Sequence, residues 1–172
     1  EGAMFYLIHD MIIKAALFML IGIVIYVSGT ENLRKMGGLI KQYPVLGWSY
    51  LIAAFGLAGI PPLSGFVGKL LIVQGGIEAG NIWSSLFILA SSLIVLLSVV
   101  RIFIYAFWGE QGAMVQINPI SYRNMLVPTV LLVAISVAFG VGAEFVTPFM
   151  DSAAKVLVDP SIYVDAVMKG GQ

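Results

Sequence analysis

From Val45 to Ala79 the sequence is mostly apolar and carries no charge apart from Lys69 and Glu78, and in its middle it reads "AGIPPLSGFVG". A helix of about 20 apolar residues crosses the hydrocarbon core of a bilayer, so this stretch is longer than one crossing requires. Pro61 and Pro62 have no amide hydrogen to donate, and Gly59, Gly65 and Gly68 weaken helix on either side of them. Freed amides and carbonyls in so apolar a setting must be satisfied by protein or beside a water-filled cavity. The break therefore dictates a packed helical membrane protein. It predicts either two crossings, over about 45–60 and 63–79, or one crossing built from a broken helix.

Three more apolar stretches, over about 3–28, 82–108 and 125–150, complete the pattern. The expected architecture is all-α, a polytopic transmembrane bundle of about five spans with a discontinuous helix near Pro61–Lys69. Only 10% of the 172 residues are charged and 60% are hydrophobic, whereas a soluble domain carries about 25% charged residues. The net charge of zero offers nucleic acid no attraction. Without cysteine the chain has no thiolate for a metal or an iron–sulfur cluster, and it lacks phosphate-loop, zinc and dinucleotide motifs, so neither metal nor cofactor is expected. It starts at Glu1 without a signal-peptide pattern and is read as a piece of a longer polytopic protein. In the loop "GTENLRKMGGLIKQYP", Thr30 is expected to cap a short helix. Residues 151–172 mix charged and apolar positions and are expected to form an interfacial or docking tail.

The charges inside the apolar stretches are the candidate functional groups. Tyr6, Asp10 and Lys14 recur every four residues and share a helix face, with His9 about 100° round from Asp10. A charge near the bilayer centre costs roughly 2.5–3.5 kcal/mol on insertion scales, and pairing Asp10 with Lys14 offsets only part of that. Lys69 follows the break directly. Desolvated lysines exchange protons nearer neutrality than solvated ones do, and histidine, with an unperturbed pKa of about 6.5, is a natural relay. Lys14, Lys69, His9 and Asp10 thus mark a proton path. The plainer alternatives are an interfacial Lys14 that snorkels outward and a Lys69 beside an ordinary turn. Arg101 reads as a snorkelling residue with Tyr105 and Trp108 as an aromatic belt, and the serines of 84–98 read as helix packing.

"HDMIIKAALFMLIG", "LRKMGGLIKQYP" and "LAGIPPLSGFVGKLLI", in this order, resemble the C-terminal part of the antiporter-like membrane subunits. That family is shared by multisubunit Mrp-type sodium/proton antiporters and the proton-pumping arm of respiratory complex I. The resemblance covers roughly residues 3–110, and "GFVGKLLI" is most similar to the D-type Mrp subunits. It implies the last third of an inverted-repeat transporter of about fourteen helices, in a bacterial cytoplasmic membrane, with other membrane subunits as partners and protons and sodium as cargo. It makes Lys14 the central lysine of a half-channel, Lys69 the lysine of the broken helix, and His9 a link between them. Several relatives place a histidine four residues before the central lysine, where this chain has Asp10. The function expected is proton translocation in a cation/proton antiporter, not enzymatic catalysis. The alternative is a proton-pumping subunit of a quinone oxidoreductase or membrane hydrogenase, and a third possibility is a non-conducting scaffold.

Overall fold

The structure is a computed structural model and describes residues 2–110, 112, 115, 118–161, 164, 167 and 168. The regular elements among the described residues are helical. They are α1 (Gly2–Ser28), a 3-10 turn (Leu33–Lys35), α2 (Leu39–Gln42), α3 (Pro44–Ala58), α4 (Ser64–Glu78), α5 (Ile82–Phe107), α6 (Pro119–Val141) and α7 (Ala143–Val158). Helices α1, α5 and α6 are long and apolar enough to cross a membrane. Helices α3 and α4 have 15 residues each. At 1.5 Å per residue each reaches only about 22 Å, short of a hydrocarbon core of about 30 Å.

Their placement makes up the difference. Along α1, Gly2 lies on Leu71 and Ile72, Tyr6 on Gly68, His9 on Ser64 and Gly65, and Ile13 on Gly56. As the residue number rises on α1 it falls through α4 and then through α3, so both run antiparallel to α1, one after the other. The same order holds on α5, where Ser85 donates to the Val73 carbonyl at 3.3 Å and the Tyr50 hydroxyl donates to the Val99 carbonyl at 3.3 Å. Helix α6 runs with the pair, Tyr122 facing Tyr43 at 5.0 Å between ring centroids and Ser136 reaching Ser64. The stretches read as 45–60 and 63–79 therefore lie in line and form one discontinuous helix.

Small residues let the broken ends overlap. Gly59, at φ 87°, takes the left-handed conformation that turns the chain out of α3, and the Pro61–Pro62 bond is cis. A Cβ on Gly65 would strike the Gly56 carbonyl and lie 2.8 Å from His9 Nε2. One on Gly140 would lie 2.8 Å from the Leu63 carbonyl carbon. Helix α1 is the post around which these pieces gather, burying Phe5, His9, Ile13, Ala16, Leu20, Val24 and Val27 at three- and four-residue spacing. A stack of Tyr50, Phe103 and Phe107 closes the other end of the α3–α5 seam.

Two local readings change. The stretch read as one helix over 125–150 is two, because the chain turns at Gly142, which ends α6 and begins α7; α6 itself starts earlier, where Asn118 caps and Pro119 occupies the first turn. In the loop after α1 the cap is Asn32, not Thr30. The Asn32 side chain accepts from the Arg34 amide at 3.1 Å, while Thr30 Oγ1 accepts from the Asn32 amide at 3.2 Å and so prepares the turn one step upstream. Helix α7 exposes Phe145, Phe149, Leu157 and Val158 and pairs Asp151 with Lys155 at 2.6 Å. Much of the expected tail beyond it lies outside the described residues.

Replacing Gly65 by alanine forces a methyl group into the α3–α4 overlap, and overpacking of this kind costs about 1–3 kcal/mol. Thermal unfolding of the purified, fully assembled complex is expected to show a lowered midpoint for Gly65→Ala and for Gly140→Ala. Unchanged midpoints in both would refute the close approach.

Candidate functional site

The last four carbonyls of a helix have no partner within it, and in α3 all four are accounted for at the break. The Gly59 and Ile60 amides both donate to Phe55 at 3.0 Å, and Gly59 also donates to Gly56 at 3.2 Å. The remaining two, Leu57 and Ala58, each accept from Lys69 Nζ at 2.9 Å. Lys69 reaches back from the second turn of α4 to the end of α3, where the helix dipole and the bare carbonyls both favour a cation. Its side chain is half-buried there.

Beside this junction a cleft of about 250 Å³ opens between α1, α3, α4 and α5, and its lining brings together Tyr6, Asp10, Lys14, Lys69, Ser91 and Ser92. Asp10 and Lys14 pair at 2.7 Å across one helical turn. The charged groups that line the cleft are thus one carboxylate and two ammonium groups, in otherwise apolar walls of Leu57, Ile72, Ile88 and Val95. A second cavity, of about 170 Å³, includes Ala58, Gly59 and Leu89. Lys69 and Ser92 line both spaces. Ser92 donates to the Ile88 carbonyl at 2.8 Å, which leaves its oxygen lone pairs available. A further groove of about 250 Å³ beside Lys14 is almost wholly apolar.

His9 is placed differently from the sequence expectation. It is fully buried, does not line the cleft, and turns towards α4 and α6. Its Nδ1 lies 2.6 Å from Ser64 Oγ, which lies 3.2 Å from Ser136 Oγ. Nε2 has no hydrogen-bond partner among the described residues. The four expected polar residues therefore divide: Asp10, Lys14 and Lys69 share the cleft, and His9 stands behind the break. Nor is Lys14 buried within this chain, its side chain being 55% exposed, against 20% for Asp10.

Sequence reasoning passes over Ser64 and Ser136 and takes Ser91 and Ser92 for packing residues. Ser64 stands inside the quoted break motif and is open to notice; Ser136, 72 positions later, has no signal. Arg101 is exposed with its guanidinium carbon 5.7 Å from the Tyr105 ring centroid, a cation–π distance. The glycines of the motif act by their lack of a side chain, Gly68 letting the backbone of Tyr6 come close.

Residues 1–95 match the family described as NADH:quinone oxidoreductase/Mrp antiporter, TM. The chain belongs to this membrane family, and its apolar helices are those of a multi-pass cell-membrane protein. More particularly, it is 53% identical over 169 residues to the D-type subunit of the Na(+)/H(+) antiporter of Bacillus subtilis (strain 168), covering 98% of this chain and 34% of that protein. It is 40% identical over 168 residues to the D-type Na(+)/H(+) antiporter protein of Alkalihalophilus pseudofirmus, again covering 98% and 34%. A chain of the Mrp complex of Dietzia sp. DQ12-45-1b superposes with a TM-score of 0.86 at 29% identity, over 95% of this chain and 38% of the other. The chain spans about a third of the length of these relatives.

Removing the ammonium of Lys69 leaves two carbonyls at a helix end without donors, and an unsatisfied buried group costs about 1–3 kcal/mol. Lys69→Met is expected to lower the thermal midpoint of the assembled protein clearly more than Lys14→Met, whose side chain is largely exposed. Equal midpoints would show that the carbonyls have other donors.

Proposed function

We propose that this chain is the C-terminal part of a proton-translocating subunit in a multisubunit sodium/proton antiporter. In this reading the cleft holding Asp10, Lys14 and Lys69 carries the protons. The observation that bears most weight is the position of Lys69, which caps the broken helix and also lines two cavities. In this reading its ammonium group passes the proton between them. Broken helices with an ionisable residue near the midplane are a recurrent way of building such a site. Asp10 holds Lys14 at one end of the cleft and offers Lys69 a carboxylate to move towards, so the direct route runs from Lys14 past Asp10 to Lys69. His9 joins the path from behind the break.

The names of the similar proteins support ion exchange over a redox-driven pump, and a transporter over an enzyme. Four crossings, α1, the α3–α4 pair, α5 and α6, fit the antiparallel order of contacts. The exposed apolar face of α5, with Trp83, Phe87 and Ile94, is then covered by lipid, by the rest of the subunit or by neighbouring membrane subunits. Helix α7, with phenylalanines on its surface and an Asp151–Lys155 pair, serves as the interfacial tail.

Proton movement driven by a sodium gradient in inverted vesicles carrying the complete complex tests this reading. Lys69→Gln and Lys14→Gln are each expected to slow exchange by about 10²-fold, the usual scale for loss of a proton-transfer group. Full exchange in both variants would sink the proposal.

A further inference from the structure

Exposed tryptophans mark the two ends of α5, Trp83 in its first turn and Trp108 as its C-cap. At 1.5 Å per residue they stand about 37 Å apart, between the 30 Å or so of the hydrocarbon core and the 40–45 Å of the whole bilayer. Each indole is therefore at headgroup level, where tryptophan is favoured. At the level of Trp108 a pocket of about 300 Å³ opens between α2 and the end of α5, lined by Ile40, Lys41, Phe107, Trp108 and Gly109. We infer that this pocket holds the phosphate headgroup of an anionic phospholipid, with Lys41 as its counter-ion and the acyl chains lying down the exposed face of α5.

The pocket has an apolar floor and a basic rim. Phe107 is fully buried and Ile40 half-buried, and both lie over Gly47 of α3, where an added Cβ would come within 3.1 Å of Ile40 and 3.2 Å of Phe107. The Gly38 amide donates to the Trp108 carbonyl at 3.2 Å and so ties the two walls together. Lys41, in the last turn of α2, is exposed. The ion pairs among the described residues are Asp10–Lys14 and Asp151–Lys155, so no described carboxylate neutralises it. Gly109 leaves the rim uncovered, and its amide has no acceptor among the described residues. An ammonium group and an open backbone amide are donors that suit a phosphate oxygen.

The surroundings favour an anion that carries a hydrocarbon tail. Arg34, Lys35 and Arg123 share this end of the bundle with Lys41, because the loop after α1 and the start of α6 meet where Tyr43 faces Tyr122. They outnumber the carboxylates of the same end, Glu31 and Glu110, and a basic pocket of this kind at the membrane surface attracts anionic headgroups. Below the pocket, Phe87, Ile94, Arg101, Tyr105 and Trp108 recur at helical spacing and form one exposed stripe on α5. Its single charge, Arg101, lies against the Tyr105 ring and stands only about 10 Å below Trp108 along the axis, within the zone from which a long cationic side chain reaches the interface. A free anion would engage the rim alone, whereas a phospholipid engages rim and stripe together.

The test places the full-length protein, in its assembled complex, in phosphatidylcholine nanodiscs with a trace of phosphatidylglycerol that carries a photoreactive headgroup, and maps the labelled peptides by mass spectrometry. The end of α5 is expected to be labelled roughly 5-fold more by this probe than by the matching phosphatidylcholine probe, the scale of one basic side chain at an anionic membrane surface. Unlabelled phosphatidylglycerol is expected to displace the probe, and inorganic phosphate is not. Lys41→Gln is expected to bring labelling down to the phosphatidylcholine level, with recovery in Lys41→Arg. Equal labelling by the two probes, or undiminished labelling in Lys41→Gln, overturns the inference. Displacement by inorganic phosphate overturns it in favour of a free anion, and absence of labelling overturns it in favour of a covering protein segment. The comparison of probes in the parent protein needs no substitution, so it decides even if Lys41→Gln fails to assemble. No arm measures ion exchange, so the result is separate from the fate of the proton path.

Discussion

The hydrogen bonds from Lys69 to Leu57 and Ala58 are what make the rest of this architecture tenable. A membrane helix that stops halfway leaves carbonyls facing a medium that cannot solvate them. Here the first two of the four are closed by Gly59 and Ile60 amides and the other two by an ammonium sent back from the following helix. The cation is thereby brought to the junction for a structural reason, and it arrives beside Asp10 and Lys14 because α1 packs along both halves of the broken helix. Fold and site are consequences of one need to satisfy backbone groups.

Around that junction the packing is set by what is missing. Gly65, Gly68 and Gly140 bring backbones together where a side chain would hold them apart, the usual device by which membrane helices gain contact without a hydrophobic drive. Close approach in turn seals His9, Ser64 and Ser136 into a small polar row. The polar groups of the region fall into two sets: an open cleft with the charges, and a closed row of His9, Ser64 and Ser136.

Much of this can be read in the residues. The break is legible because proline and glycine act locally through missing hydrogens and missing side chains, and Asp10 pairs with Lys14 because four residues make one turn. The partners of Lys69 are not legible, since they are main-chain carbonyls and carry no residue signature. The link from His9 to α6 is hidden for another reason: Ser136 stands 72 positions from Ser64 and looks like any serine in an apolar helix. Whether two apolar stretches lie side by side or end to end is also beyond the pattern of hydropathy, which fixes burial but not order in space. The division of one expected helix at Gly142 belongs to the same class, because a single glycine in an apolar run is tolerated as often as it turns the chain.

The shared place of Lys69 has a mechanical side. The same ammonium that lines two cavities also closes the end of α3, so its charge cannot shift towards Asp10 without leaving two carbonyls bare. Displacing the charge thus removes the two hydrogen bonds by which α4 holds the end of α3. In the proposed proton path, the displacement of this charge and the baring of the two carbonyls are one event at one nitrogen atom.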